Sequence, residues 1–296
     1  MSSPDRPTMR ARREPPQFRL VTVRRVEQVS PRMIGVTLCG ADLESLAAES
    51  PAASVRLLLP SPGALSRGGL SRGAPSRAPS SGAASPGAGA LVMPTWNGNE
   101  FLLPDGQRPI IRTFTPRRVG TDTETHTDTL DLEIVIHGNG VASQWAETAQ
   151  FGDPAAVSGP GRGYAIDRDA PAFLLAGDES AIPAISQLLE CLPAATPVQV
   201  HIEVAHSDGR LALPDHPGST VQWHDLPPDG TAGDALVVAI CSCQVLPGTR
   251  VWTAGEAAAV QRIRRHLFED RGLPRSHATI RGYWKHGRGG DTDDDA

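Results

Sequence analysis

The stretch Ala172-Phe-Leu-Leu-Ala176-Gly177-Asp-Glu-Ser180-Ala-Ile-Pro-Ala184 divides the chain into two kinds of pattern. Ala172–Ala176 is a short unbroken apolar run, as expected of a strand covered on both faces. Gly177–Ser180 turns the chain, and Ala181–Cys191 reads as a helix. Beyond it, strand patterns at Val198–Val204, Thr220–His224, Val251–Ala254 and Ala278–Tyr283 follow, with a helix over Gly255–Asp270 that carries Val260, Ile263 and Leu267 on one side and stops at Gly272. Alternation of this kind implies a doubly wound, mostly parallel sheet.

Upstream the pattern is different. Strands read at Arg19–Val26, Met33–Leu38, Ser54–Leu59, Pro109–Thr115, Leu130–Ile136 and Pro154–Val157, and one short helix reads at Val141–Gln150. Leu130, Leu132, Ile134 and Ile136 alternate on one face, as in a half-buried strand. Many short strands with one helix predict a six-stranded antiparallel β-barrel. The expected fold class is therefore a β-barrel plus α/β, with domains over 16–167 and 168–288. Residues 1–15 read as a disordered basic tail and 289–296 as an acidic one. Residues 61–90 hold seven Ser, seven Gly, seven Ala and four Pro with no acid and no aromatic, and read as a flexible insert within the barrel domain.

The 296 residues, 39% hydrophobic and 21% charged, suit a globular protein of two domains. A net charge of −5 argues against nucleic acid as a partner. Cys39, Cys191, Cys241 and Cys243 lack the spacing of a zinc site, so they read as reduced and structural, and no metal is expected. Nothing near Met1 resembles the apolar core of a signal peptide, and no apolar run approaches the roughly 20 residues that cross a bilayer. A cytoplasmic monomer without membrane insertion is the expectation.

Four segments carry chemistry. In Arg112-Thr113-Phe114-Thr115 a strand would place Arg112 and Phe114 on one face and the threonines on the other. Arg112 can pair bidentately with a phosphate, and an aromatic ring can lie against a flat ligand. Alone, this stretch reads more readily as an ordinary barrel strand. In His137-Gly138-Asn-Gly140-Val-Ala142-Ser143-Gln-Trp145 a glycine turn leads into a helix N-terminus, whose backbone N–H groups suit a pyrophosphate, with Ser143 as a further hydroxyl. Here too a strand-end His137 and a core Trp145 are even alternatives. Asp178, Glu179 and Ser180 follow the first strand of the α/β half, where such sheets bind ligands, although helix capping explains them as well. Arg281-Gly-Tyr-Trp-Lys285-His-Gly-Arg288 interleaves aromatic and basic residues, and reads either as an exposed tail or as a surface attracting an anion.

Taken in order, Arg112-Thr-Phe-Thr-Pro-Arg117, His137-Gly-x-Gly-x-Ala-x-x-Trp145-Ala, Ser158-Gly-Pro-Gly161, Ala176-Gly-Asp-Glu-Ser-Ala-Ile-Pro-Ala184, Trp252-x-Ala-Gly-Glu256 and Gly282-Tyr-Trp-Lys-x-Gly-Arg288 resemble the siderophore-interacting protein family. The opening Val21–Leu43 segment, with its Ser-Pro-Arg-Met turn, is similar too. The resemblance implies a ferredoxin-reductase-like fold, an FAD-binding barrel and a cytoplasmic FAD-dependent ferric-siderophore reductase. The donor it implies is NADPH or NADH, or a ferredoxin. On this pattern Arg112, Thr113, Phe114 and Thr115 hold the flavin, with Phe114 standing where a Tyr is common. His137, Gly138, Gly140, Ala142, Ser143 and Trp145 receive its phosphates. Asp178, Glu179, Ser180 and Glu256 line the nicotinamide side, and Lys285 and Arg288 belong to a basic pocket for the ferric chelate. No side chain need act as a catalytic nucleophile. A siderophore-binding protein without reductase activity and a general flavin reductase are the alternatives.

Overall fold

A computed structural model describes residues 17–47, 50–60, 91–138 and 140–287. The two expected tails, the expected insert at 61–90, and Arg288 lie outside the described residues. The first half forms a seven-stranded antiparallel sheet from β1 (Arg19–Ser30), β2 (Met33–Cys39), β3 (Val55–Leu59), β6 (Ile110–Phe114), β7 (Pro116–Thr121), β8 (Asp128–Val135) and β9 (Pro154–Ser158). A separate hairpin joins β4 (Thr95–Trp96) to β5 (Phe101–Leu102).

The order of the large sheet is β6-β3-β9-β1-β2-β8-β7. Laid flat, its two edge strands would stand roughly 29 Å apart at ~4.8 Å per strand. Yet β6 and β7 are joined through Thr115 alone. One residue spans only about 7 Å, so the sheet has to curl into a barrel that is open between its two edges. Its interior is filled by Val21, Val23, Val36, Leu38, Leu57, Leu130, Leu132, Ile134 and Val157. Helix α1 (Val141–Thr148) packs Trp145 and Ala146 into that same core.

The second half is a five-stranded parallel sheet, ordered β12-β11-β10-β13-β14, from β10 (Phe173–Asp178), β11 (Val198–Val204), β12 (Ser219–Asp225), β13 (Arg250–Glu256) and β14 (Ala278–Trp284). Along β10, Phe173 and Leu175 face one core and Leu174 and Ala176 the other. Helix α2 (Ile182–Cys191) covers the first face with Ile185, Leu188 and Leu189. Helices α3 (Asp234–Ser242) and α4 (Ala257–Arg265) cover the second with Leu236, Ile240 and Ile263. Chain order reverses between β10 and β13, which opens a crevice at the carboxyl ends of those strands.

Three elements depart from the sequence reading. The barrel sheet has seven strands where six were expected, because Pro116–Thr121, where no strand was read, pairs with β8. Arg117, Arg118 and Gly120 conceal it. Helix α3 was not foreseen either: Ala235-Leu-Val-Val-Ala-Ile240 is apolar throughout and shows no helical period. Cys191, read as a packed residue, is exposed at the end of α2, and all four cysteines are free thiols.

Candidate functional site

The two sheets meet along a junction built from both halves. Met33, Ala52 and Tyr164 of the first half share one apolar core with α2 and β10 of the second. Polar contacts surround that core. Arg32, in the β1–β2 turn, donates from Nε to both carboxylate oxygens of Glu179 at 3.0 and 3.1 Å. Arg117 reaches Glu190 at 2.7 Å. Gln187 of α2 donates to the Pro116 carbonyl at 2.5 Å and accepts from Ala52 N at 2.7 Å. Arg281 of β14 donates to the carbonyls of Ala52, Arg162 and Gly163 at 2.9–3.1 Å. Thr115 and Tyr283 share a hydroxyl hydrogen bond of 3.2 Å. Burial pushes the Tyr283 hydroxyl above its ordinary pKa, so it stays protonated.

On the barrel side, Arg112 lies opposite Leu57 and Phe114 opposite Val55, on the inward face of edge strand β6. Arg112 is half-buried, and its Nη1 donates to the Ile111 carbonyl at 2.8 Å. Thr113 is exposed, whereas Thr115 turns to the junction and is engaged by Tyr283. Phe114, Val141 and Ala142 all pack against the same barrel core.

The chain enters α1 through Gly138, whose φ of +48° only glycine adopts without strain. Gly140 is the N-cap residue and has no side chain with which to cap the helix. Its first-turn N–H groups and positive dipole end are therefore the local attraction for an anion. Ser143 does not add a hydroxyl to that attraction. It is buried, donating to the Val135 carbonyl at 3.2 Å and accepting from His137 N at 3.3 Å, and so ties the strand end to the helix. Trp145 is only 1% exposed in the barrel core. The His137 ring is exposed and stacks on Trp284, with centroids 5.9 Å apart and planes at 24°. That contact joins the glycine turn of the barrel to the end of the parallel sheet.

The acids of the α/β half have partners within the chain. Asp178 Oδ1 accepts from Ser180 N at 2.9 Å and from Ser180 Oγ at 2.5 Å. Its Oδ2 accepts from Glu256 N and Trp284 Nε1, both at 2.8 Å. Burial raises the Asp178 carboxyl above the usual carboxylate range, and these four hydrogen bonds pull the other way. Glu256 Oε2 caps α4 through Ala259 N at 2.8 Å, and its Oε1 accepts from His286 N at 3.2 Å. Asp178, Glu179, Ser180 and Glu256 are thus engaged in capping and junction contacts, the capping reading that the sequence also allowed. Lys285 is exposed beside this cluster.

Sequence reasoning missed the junction contacts of Arg32, Gln187 and Arg281, whose partners lie far away along the chain, and the contact between His137 and Trp284. It also missed a depression of about 810 Å³ on the α3 face of β11 and β12. There the His201 and His224 rings stack with their nitrogens 3.1 Å apart, and burial holds His201 down to about 4. This depression shares no residue with the junction. Among the described residues, no group of three or more His, Cys, Asp or Glu could hold a metal ion. No described helix is long and apolar enough to cross a membrane.

Residues 80–164 match the model of a siderophore-interacting FAD-binding domain, and residues 170–287 match that of siderophore-interacting proteins. A solved siderophore utilization protein from T. fusca superposes with a TM-score of 0.72 at 31% identity, covering 93% of this chain and 95% of that one. The chain belongs to the siderophore-interacting protein family. An uncharacterized protein of Mycobacterium tuberculosis is 40% identical over 63% of this chain and 69% of its own length. The ferric vibriobactin reductase ViuB of Vibrio cholerae is 26% identical over 91% of this chain and 90% of its own. More distant structures share the fold alone, among them the ferredoxin reductase of carbazole 1,9a-dioxygenase, at TM-score 0.59 and 13% identity over 92% of this chain and 70% of that one. The fold is thus ferredoxin-reductase-like, as the motifs implied.

The barrel side fits a flavin dinucleotide. An arginine on an edge strand, a helix entered through a left-handed glycine and an exposed ring at the strand end are groups that suit its phosphates and flat rings.

Proposed function

We propose that this protein is an FAD-dependent ferric-siderophore reductase acting as a monomer in the cytoplasm, with NADPH, NADH or a ferredoxin as electron donor. The observation that carries the reading is the glycine turn into α1 beside the His137–Trp284 stack, which joins the two halves. The likeness to ViuB supports the choice of a ferric chelate as substrate.

FAD, when bound, would supply the conversion from two-electron to one-electron transfer that reducing Fe3+ requires. The chain's own residues do the rest by holding and orienting. Arg112 pairs with the pyrophosphate, and the first-turn N–H groups of Val141 and Ala142 complete its cradle. Gly138 and Gly140 let the backbone come close. Phe114 and Thr113 border the flat and polar parts of the cofactor. Ser143, Trp145 and Thr115 act behind these groups by fixing the turn, the helix and the edge strand. Lys285 attracts an anionic ferric chelate to the exposed rim, and Arg288 of the same motif adds a positive charge to that segment. One electron converts Fe3+ to Fe2+, which hard oxygen donors hold less tightly, so the metal leaves the chelate. No side chain has to form or break a covalent bond.

The test is reduction of a ferric siderophore by the purified FAD-loaded protein with NADPH, NADH or reduced ferredoxin, with Fe2+ trapped by ferrozine. Steady Fe2+ formation with at least one donor is expected. FAD retention without Fe2+ formation from any chelate would leave a flavin reductase of another kind. A protein that binds chelate but no FAD would be a siderophore carrier.

A further inference from the structure

We propose that Arg281 is a positioning residue for electron input: its guanidinium locks the parallel-sheet half onto the barrel in the register that brings a nicotinamide donor to the flavin. The inference rests on the flavin reading above and deepens it, by naming what sets the placement of donor against cofactor.

Arg281 stands on β14, half-buried, beside Ala254 of β13. Its Nη1 donates to the carbonyls of Ala52 at 3.1 Å and Arg162 at 3.0 Å, and its Nη2 to the carbonyl of Gly163 at 2.9 Å. All three acceptors belong to the barrel half, on two separate segments. Those segments are bonded to each other as well. Gly161 N donates to Ser54 O at 2.6 Å, and Tyr164 N to Pro51 O at 2.7 Å. Gly163 permits the approach, since a Cβ there would lie 2.7 Å from the Ser50 carbonyl oxygen. One planar, rigid fork therefore grips a preassembled pair of loops.

Ala52 is the strained part of this grip. Its φ is +56°, a left-handed conformation that a residue with a Cβ adopts at a cost, and it is fully buried in the core that the two halves share. Both of its backbone polar groups go to the parallel-sheet half. Its N–H donates to Gln187 Oε1 at 2.7 Å, and its carbonyl accepts from Arg281. Strain of this kind persists where the surroundings over-determine it, so docking of the halves and the shape of this turn are coupled.

The clamped segments are the roots of the flavin strands. Ala52 leads into β3, where Val55 pairs with Phe114 and Leu57 with Arg112. The other segment leaves β9, whose Ser158 pairs with Arg56. The barrel's own core keeps these strands together, so loosening Arg281 shifts one half against the other and leaves the flavin strand in place. Hydride transfer is the step that feels such a shift. A dihydronicotinamide held by one half gives up two electrons and a proton together to a flavin held by the other, and a misplacement of about 1 Å can cost roughly a hundredfold in rate. Passing single electrons to a chelate at the exposed rim does not use that register.

Arg281→Gln removes the fork, Arg281→Lys keeps its charge alone, and Gln187→Leu releases the other bond to Ala52. Each full-length, FAD-loaded variant is mixed anaerobically with saturating NADH or NADPH, and the limiting rate of flavin reduction is compared with that of the wild type. In a second arm, light-reduced protein is mixed with a ferric siderophore without any nicotinamide. With the better donor, reduction is expected to slow about tenfold or more in Arg281→Gln, less in Arg281→Lys and least in Gln187→Leu. FAD content and the rate of reoxidation by the chelate should stay within about twofold of the wild type. Unchanged reduction in both Arg281→Gln and Gln187→Leu overturns the proposal, and so does an equal fall in both arms, which marks a general loss of structure. If Arg281→Gln does not fold, Gln187→Leu decides. Wild-type flavin that neither nicotinamide reduces also overturns it, whereas failure of the chelate arm in the wild type sinks the reductase reading and leaves the reduction rates to decide the clamp.

Discussion

The barrel side and the α/β side of the junction treat their polar groups in opposite ways. At the barrel, α1 begins at Gly140, which has no side chain to cap it, and the exposed His137 stands at the end of its strand. At the parallel sheet, Asp178, Glu179 and Glu256 are all buried and all bonded within the chain. Both regions carry motifs that sequence alone marks as ligand-binding. Only the first leaves backbone donors for an anion. The motif acids of the second region serve the chain's own contacts.

Arg112→Ala is the substitution most able to break this contrast. Loss of a charge-assisted pair with pyrophosphate should cost about 2–3 kcal/mol of FAD affinity, or roughly 30–150-fold in Kd. The ratio of flavin to protein absorbance after gel filtration measures it, and full occupancy would remove Arg112 from the cradle. Glu179→Gln probes the other side. It breaks the paired hydrogen bonds from Arg32 across the junction and should destabilise the fold by about 1–2 kcal/mol while FAD retention stays as in the wild type. A lower Tm with unchanged flavin content supports its structural role, and the reverse would make it a cofactor ligand.

Gly138→Ala should cost about 1 kcal/mol, because a Cβ at φ +48° is strained although nothing lies within 4 Å of it. Chemical denaturation reads the stability loss, and its size should grow when FAD saturates the wild type, since the ligand stabilises only a competent turn. Lys285→Ala should have the smallest effect. KM for an anionic ferric chelate should rise two- to threefold at low salt, a change of about 0.5 kcal/mol that shrinks as salt is added, with flavin content constant. A neutral chelate should show no such change.

Much of this fold was legible in the sequence because its signals are local. The alternation of Leu130, Leu132 and Ile134 and the apolar run Phe173–Ala176 are periodicities that burial imposes directly. β7 was hidden because it is an edge strand, where Arg117 and Arg118 can face solvent and the junction instead of a core. α3 was hidden for the opposite reason: a helix apolar almost all round has no period to read. The site was less legible than the fold. Arg112, Gly138 and Gly140 could be marked from local chemistry. The pairing of Arg32 with Glu179 joins residues 147 positions apart, and no spacing rule reaches that far. Ser143 and Trp145 stand in the right motif, but they act from inside the core rather than at the surface.

The most direct test of the central claim uses a single turnover. FAD-loaded protein is reduced by light under anaerobic conditions and mixed with excess ferric siderophore, while flavin absorbance and ferrozine-trapped Fe2+ are followed together. The account predicts that flavin absorbance returns as Fe2+ appears, with roughly two Fe2+ formed per flavin reoxidised. Flavin that stays reduced in the presence of the chelate, or that reoxidises without Fe2+, would contradict it.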